Sequence, residues 1–252
     1  MGPPRVFAAG LTITFCSDER SKILADKSEK FPEKPTEKPG EKQTTNSRED
    51  LLRVAKSVFA EIGYDRATVK DLADRANVNV SAISYHFGGK EALYEACLKE
   101  FALLQVGFAN RILKTPQTRE DFKLRLRLFA EEFIQLHLKE SDLCRILHRD
   151  FEAQVPIAMT IFKSSFFPFY KSLEAFISSA KKLKLLRPEI DPHMATFFIF
   201  GMMIHIVKAD PMRKEVLGTS VTQPKEFDLT IDYFINIALG GILRDENSGV
   251  HK

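Results

Sequence analysis

Beyond residue 47 the apolar positions recur at steps of three and four. Leu51, Leu52, Ala55, Val58, Phe59 and Ile62 share one helical face and Gly63 suits a left-handed stop, so the spacing predicts a helix from about Arg48 to Ile62. A second start follows at Thr68, whose hydroxyl can cap a helix with Asp71 in its first turn, and Val69, Leu72, Ala73 and Ala76 form its apolar stripe. Asn77-Val78-Asn79 breaks the pattern; with Asn79 as the next cap, Val80 to Phe87 predict another short helix that stops at Gly88. Lys90 opens a longer helix with a stripe of Leu93, Ala96, Cys97, Phe101 and Leu104. No stretch alternates with period two for long enough to predict a sheet, so the expected class is all-α. Two short helices joined by a tight turn predict a helix-turn-helix.

At 100° per residue, Ile83 and Phe87 point one way, with Val80 at their border, while Ser81 and Tyr85 point the other, flanked by Ala82 and Ser84. Such a face fits a major groove, where small side chains allow close approach and hydroxyls read base edges, and it equally fits an ordinary surface helix. Thr68 and Lys90 stand at helix N-termini, where free backbone N–H groups favour phosphate. The Gly-Gly-Lys at 88–90 is not a nucleotide loop: no glycine occupies the first position of that motif, Glu91 follows the lysine and no strand precedes it.

Further along, phenylalanine dominates. Phe122, Phe129 and Phe133 fall on one predicted helix, and Phe162, Phe166, Phe167, Phe169 and Tyr170 surround Pro168, which is expected to bend its helix and open a cavity for an apolar ligand. Plain core packing is the competing reading. His137, Arg145, His148 and His205 are polar residues in apolar helical sequence and are candidate anchors for such a ligand. Cys144 and His148 are four apart, but two ligands leave a zinc site incomplete, so no metal is expected. The last two predicted helices, about Pro192 to Lys208 and Phe227 to Leu243, carry apolar stripes (Met194, Phe198, Met202 and His205; Tyr233, Ile237, Gly240 and Gly241). The apolar run from Ala195 to Val207 is shorter than the roughly 20 residues that span a bilayer, so a buried helix is expected and no membrane partner.

With 252 residues, 44% of them hydrophobic, the chain can bury one or two domain cores. Net charge of +3 permits an anionic partner without requiring one. Three cysteines, far apart, supply neither a disulfide framework nor a metal knuckle, which fits a reducing, cytoplasmic setting. VFAAGLTITFC has the length of a signal core, but the SDER after it lacks a small-x-small cleavage pattern. From Ser17 to Ser47 Lys, Glu, Pro, Ser and Thr dominate, a composition expected to be disordered.

The stretch from Arg48 to Leu98, with FAEIGYDRATVKDLADRANVNVSAISYHFGGKEALYEACL at its heart, resembles the N-terminal DNA-binding domain of TetR/AcrR-type transcriptional regulators. The resemblance implies an N-terminal three-helix helix-turn-helix domain followed by a larger helical ligand-binding and dimerisation domain. It also implies a two-fold dimer on a palindromic double-stranded DNA operator, and a repressor released by a small, largely apolar effector, with no enzymatic activity and no cofactor. The expected division is a disordered extension over 1–46, a DNA-binding domain over 47–95, an effector and dimerisation domain over 96–244, and a flexible tail over 245–252. The family's recognition helix maps onto Asn79 to Phe87, with contacts to bases or phosphates at Asn79, Ser81, Ala82, Ser84 and Tyr85, and Val80 counted among the DNA-binding positions. Phosphate roles fall on Thr68 and Lys90. Val80 and Ser84 stand where many members carry a polar or basic residue and a tyrosine, respectively. Effector contacts are expected among Phe129, Phe133, His137, Arg145, His148, Phe162, Phe166, Tyr170 and His205. RPEIDPHMATFFIFGMMIHIVKADP is similar to the CecR-like subgroup.

Overall fold

The computed structural model describes residues 47–244; the expected extension over 1–46, with its signal-like stretch, and the tail over 245–252 lie outside them. Among the described residues the fold is helical without a strand. The order is α1 Ser47–Ile62, α2 Val69–Ala76, α3 Val80–Phe87, α4 Lys90–Ile112, α5 Arg119–Lys139, α6 Ser141–Glu152 and α7 Pro156–Ile161. A π-helical turn follows at Phe162–Phe166, then α8 Phe167–Lys182, α9 Pro192–Leu217 and α10 Pro224–Ile242.

The first three helices close a small core on the start of α4. Leu51, Ala55, Val58 and Phe59 of α1 meet Leu72 and Ala73 of α2, Ile83 of α3 and Leu93, Tyr94 and Cys97 of α4, all buried. The α1 stop is Gly63 at φ +86°, a conformation that strains an L side chain. The α2 start is a complete capping box: Thr68 Oγ1 accepts from Asp71 N, and the Asp71 carboxylate accepts from Thr68 N. Asn77 ends α2 in the left-handed conformation, and three residues later α3 begins.

This core does not end at residue 95. Helix α4 runs unbroken to Ile112, and Phe101, Leu143, Cys144, Ile146, Leu147, Ile161 and Phe166 belong to the same apolar cluster as α1 to α3. The expected boundary at 95/96 therefore falls inside one helix and one core. A second core, farther along the chain, gathers α5, α8, α9 and α10 around Phe122, Phe129, Phe133, Phe169 and Phe176. Phe122 stacks on Phe176 at 5.0 Å between centroids and Phe129 on Phe169 at 5.3 Å.

Two expectations about the C-terminal helices change. Pro168 does not bend a continuous helix: it stands in the first turn of α8, where its missing N–H is no loss, and the irregular backbone is the π-turn just before it. Helix α9 is not buried. It extends through Pro211 to Leu217, long and apolar enough by length and composition to cross a membrane, but only one face (Ala195, Ile199, Met203) enters the core. Phe197 and Phe198 are about three-fifths exposed. The turn to α10 is locked by Asp210, buried, which accepts from Ser220 Oγ and Val221 N.

Candidate DNA interface and effector interior

Helix α3 is held by one side and offered on the other. Ile83 is fully buried and Phe87 half-buried under the Arg48 guanidinium, 5.0 Å above its ring, whereas Ser81 and Ser84 are exposed and Tyr85 is 85% exposed. Val80 is exposed as well, and Ala82 is half-buried. Asn79 takes the N-cap position but its side chain makes no cap bond, so its amide is available to a partner rather than occupied by the helix.

Two sequence-derived phosphate ligands are placed differently from expectation. Thr68 Oγ1 donates its proton to Asp71 Oδ2 at 2.6 Å, and those bonds hold the Asp71 carboxyl below its usual range. The hydroxyl therefore has no donor to offer a phosphate in this arrangement; the first-turn backbone N–H groups of α2 do. Lys90 Nζ donates to the carbonyls of Tyr64 and Ala67 at 2.9 and 3.0 Å and lies 4.3 Å from the centre of the Tyr64 ring. It ties the α1–α2 loop to α4, with one of its three N–H donors left over.

A latch that sequence reasoning missed joins the two halves. Arg149 of α6 donates to the carbonyls of Phe59 (2.8 Å) and Ala60 (3.0 Å) at the end of α1, and to Asp150 Oδ1 at 2.7 Å. Tyr94 of α4, fully buried, donates to Asp150 Oδ2 at 2.7 Å. Burial and the neighbouring carboxylate push the Tyr94 phenol up, so it remains a donor. Adjacent Arg and Asp in α6 carried no sign that the first would meet the carbonyls that end α1 and the second the buried phenol of Tyr94.

The nine expected effector residues separate into groups. His137, Phe133 and Phe166 come together at the junction of α4, α5 and the π-turn: the His137 ring lies 3.8 Å from Phe133 and 5.4 Å from Phe101, which is 6.0 Å from Phe166. His148 is 6.2 Å from His137. Phe162 touches Phe151 at 4.5 Å and continues the chain of rings outward, while Phe129 and Tyr170 join it through Phe169 and Phe200. Arg145 does not belong: its side chain is 61% exposed and faces Asp142, because it lies on the outer side of α6. His205 is also elsewhere, on the exposed side of α9. Sequence spacing also missed Phe101 and Gln105, which look like ordinary positions of a long core helix.

His137 Nδ1 lies 2.7 Å from the Phe133 carbonyl, which can only accept, so Nδ1 carries the proton and Nε2 is left to accept from the Gln105 amide, 3.5 Å away. Burial lowers His137 to about 3 and lowers His148 as well. His148 Nε2 is buried without a hydrogen-bond partner.

Helices α9 and α10 form an apolar groove of about 630 Å³ lined by residues that include Phe198, Met202, His205, Leu229, Tyr233 and Ile237. Tyr233 and Ile237 are more than three-fifths exposed. Among the described residues no group of three or more His, Cys, Asp or Glu side chains is arranged to hold a metal ion.

Residues 51–97 match the family model of bacterial regulatory proteins of the tetR family. The HTH-type transcriptional regulator RutR of Escherichia coli K12 is 26% identical over 196 residues, 76% of this chain and 88% of RutR. The HTH-type transcriptional repressor AcnR of Corynebacterium glutamicum is 45% identical over 58 residues, 23% of this chain and 31% of AcnR. Among solved structures, the transcriptional regulator FadR of Bacillus subtilis in complex with stearoyl-CoA superposes with a TM-score of 0.62 at 17% identity, covering 81% of this chain and 99% of that one.

Proposed function

We propose that this chain, which belongs to the TetR family of bacterial transcriptional regulators, works as a homodimeric repressor that is released from a palindromic operator by a small, largely apolar effector. The observation that carries the reading is the α3 face: Asn79, Ser81, Ser84 and Tyr85 stand free on a helix whose other side is locked by Ile83. In this reading α3 enters the major groove, Ala82 approaches bases closely, Tyr85 reaches a phosphate, and the α2 N-terminus beside Thr68 and Lys70 holds another. Lys90 acts by fixing the loop that presents that N-terminus, and its remaining donor reaches the backbone.

Dimerisation is supported by the exposed apolar face of α9 and α10, which is larger than scattered surface residues explain. A second copy seated there places two α3 helices on half-sites about 34 Å apart. The effector acts by binding better to a dimer whose helices miss that spacing. The names of relatives give precedents of each kind: a repressor in AcnR and a complex with a small molecule in FadR.

The test is selection of genomic fragments on the purified protein at moderate salt, followed by footprinting of the best fragment. A palindromic footprint whose affinity falls steeply with salt is expected. Tyr85→Ala should weaken binding about tenfold, and Ser81→Ala or Ser84→Ala should shift sequence preference. A footprint untouched by all three changes sinks the assignment of α3.

A further inference from the structure

The interior between α4, α5 and α6 is aromatic with one polar seam. Along that seam Gln105, His137 and the Phe133 carbonyl satisfy one another, and Cys144 Sγ donates to the His137 carbonyl at 3.5 Å. His148 Nε2, by contrast, is buried with no partner, a costly state that a native chain relieves when something else supplies the bond. The charges nearest to it are already engaged. Arg149 is bound by two carbonyls and Asp150, and Lys208 is paired with Glu152. Neither of these two cations is therefore free to meet a buried anion beside His148, whose desolvation they would leave uncompensated.

The route inward is marked by backbone as well as rings. Phe151, 39% exposed, leads through Phe162 and Phe166 to Phe101 and His137, and Phe162 and Phe166 are the two ends of the π-turn. A π-turn holds one residue more than an α-turn and can be rewound by one position, which moves these rings without breaking the flanking helices.

We propose that the effector is a neutral lipophilic molecule with a single hydrogen-bonding head group, which displaces the Phe166 ring and completes the bonding of His148 Nε2. The inference rests on the reading of the C-terminal region as an effector domain. It predicts discrimination by charge at constant shape, because the rings accept any aromatic skeleton but the seam has no counter-ion for a carboxylate, sulfonate or phosphate.

The experiment is calorimetric titration of the full chain at neutral pH with 2-naphthol and with naphthalene-2-sulfonate, which share one ring system. The naphthol should bind at least about tenfold tighter. His148→Phe should weaken it about tenfold, the worth of one buried hydrogen bond, while His148→Gln, which keeps a donor and an acceptor, should retain it. Equal or tighter binding of the sulfonate, no binding of the naphthol, or binding that survives His148→Phe and is lost in Ile237→Lys on the α9–α10 groove, each overturns the proposal. DNA retention is measured on the same protein before any ligand is added and again with the naphthol. Retention by the ligand-free protein with no charge preference among the ligands removes this inference and leaves the regulator reading in place; no retention by the ligand-free parent protein removes both.

Discussion

The Tyr94–Asp150–Arg149 latch can be tested by deleting one oxygen. Tyr94→Phe keeps the ring, and with it the edge-on contact to Phe59 at 5.2 Å and the contact to Tyr64 at 4.8 Å, so no cavity beyond a hydroxyl is made. What is lost is a 2.7 Å hydrogen bond from a fully buried phenol to a carboxylate that is itself 3% exposed. A bond to a charged group contributes roughly 1.5–3 kcal/mol, and the carboxylate keeps its Arg149 partner on the other oxygen, which points to a cost of about 2 kcal/mol. With a urea dependence of roughly 1–3 kcal/mol/M, the unfolding midpoint should fall by about 1 M at fixed protein concentration. Asp150→Asn, which also weakens the pair with Arg149, should cost at least as much, and the double variant less than the sum, because both changes affect the Tyr94–Asp150 bond. Midpoints within about 0.2 M of the parent, or strictly additive losses, would show that the latch contributes nothing and refute the reasoning.

Other outcomes follow from the same geometry. Between pH 6.5 and 5 the unfolded chain takes up a proton at His137 that the native chain, with its pKa held near 3, refuses; stability should therefore fall as pH drops through this window, and His137→Gln should flatten the slope. His148, shifted in the same direction, adds to the slope. Cys97 is fully buried with its thiol pushed up to about 12, so in a Cys16→Ser background neither it nor buried Cys144 should react with a thiol reagent until the protein unfolds. Fast labelling of the native protein would contradict the packing of α4. Ile237→Lys, at a side chain 64% exposed on the α10 face, should leave the unfolding of the monomer nearly unchanged and move the chain to monomer in sedimentation; a retained dimer would place the interface elsewhere.

The DNA-binding end was the more legible half because its signals are local. A cap at Thr68, a stop at Gly63 and stripes at helical spacing each act within one or two turns, and the structure places α1 to α3 within a residue or two of the expectation. The phosphate assignments of Thr68 and Lys90 were less legible, because a hydroxyl or an ammonium can turn inward to Asp71 or to the Tyr64 carbonyl without changing any periodicity. The C-terminal half obeys helical spacing everywhere, so spacing alone could not say which of its phenylalanines meet. The candidates Arg145 and His205 are set apart from His137 and His148 for that reason: all stand in apolar sequence, yet Arg145 faces Asp142 and solvent and His205 lines the α9–α10 groove. The extent of α9 beyond Lys208 depended on Asp210, whose carboxylate is satisfied by Ser220 and Val221 in the next loop, a long-range match that no window reveals.

Helix α6 brings these observations to one place. His148, whose ring faces the aromatic interior, is followed immediately by Arg149 and Asp150, which grip α1 and α4. A helix is stiff over so short a distance, so a group lodged against His148 cannot shift that turn without altering the angle at which Arg149 meets the Phe59 and Ala60 carbonyls. Helix α1 in turn packs directly on α2 and shares the core that holds α3. If the effector works through this turn, loosening the latch should uncouple the two ends more than it harms either one. In the Tyr94→Phe protein DNA affinity without effector should change little, whereas the effector's ability to lower it should shrink several-fold. An effector response as large as the parent's in that variant would mean that the signal reaches α3 by another path, through α4 alone.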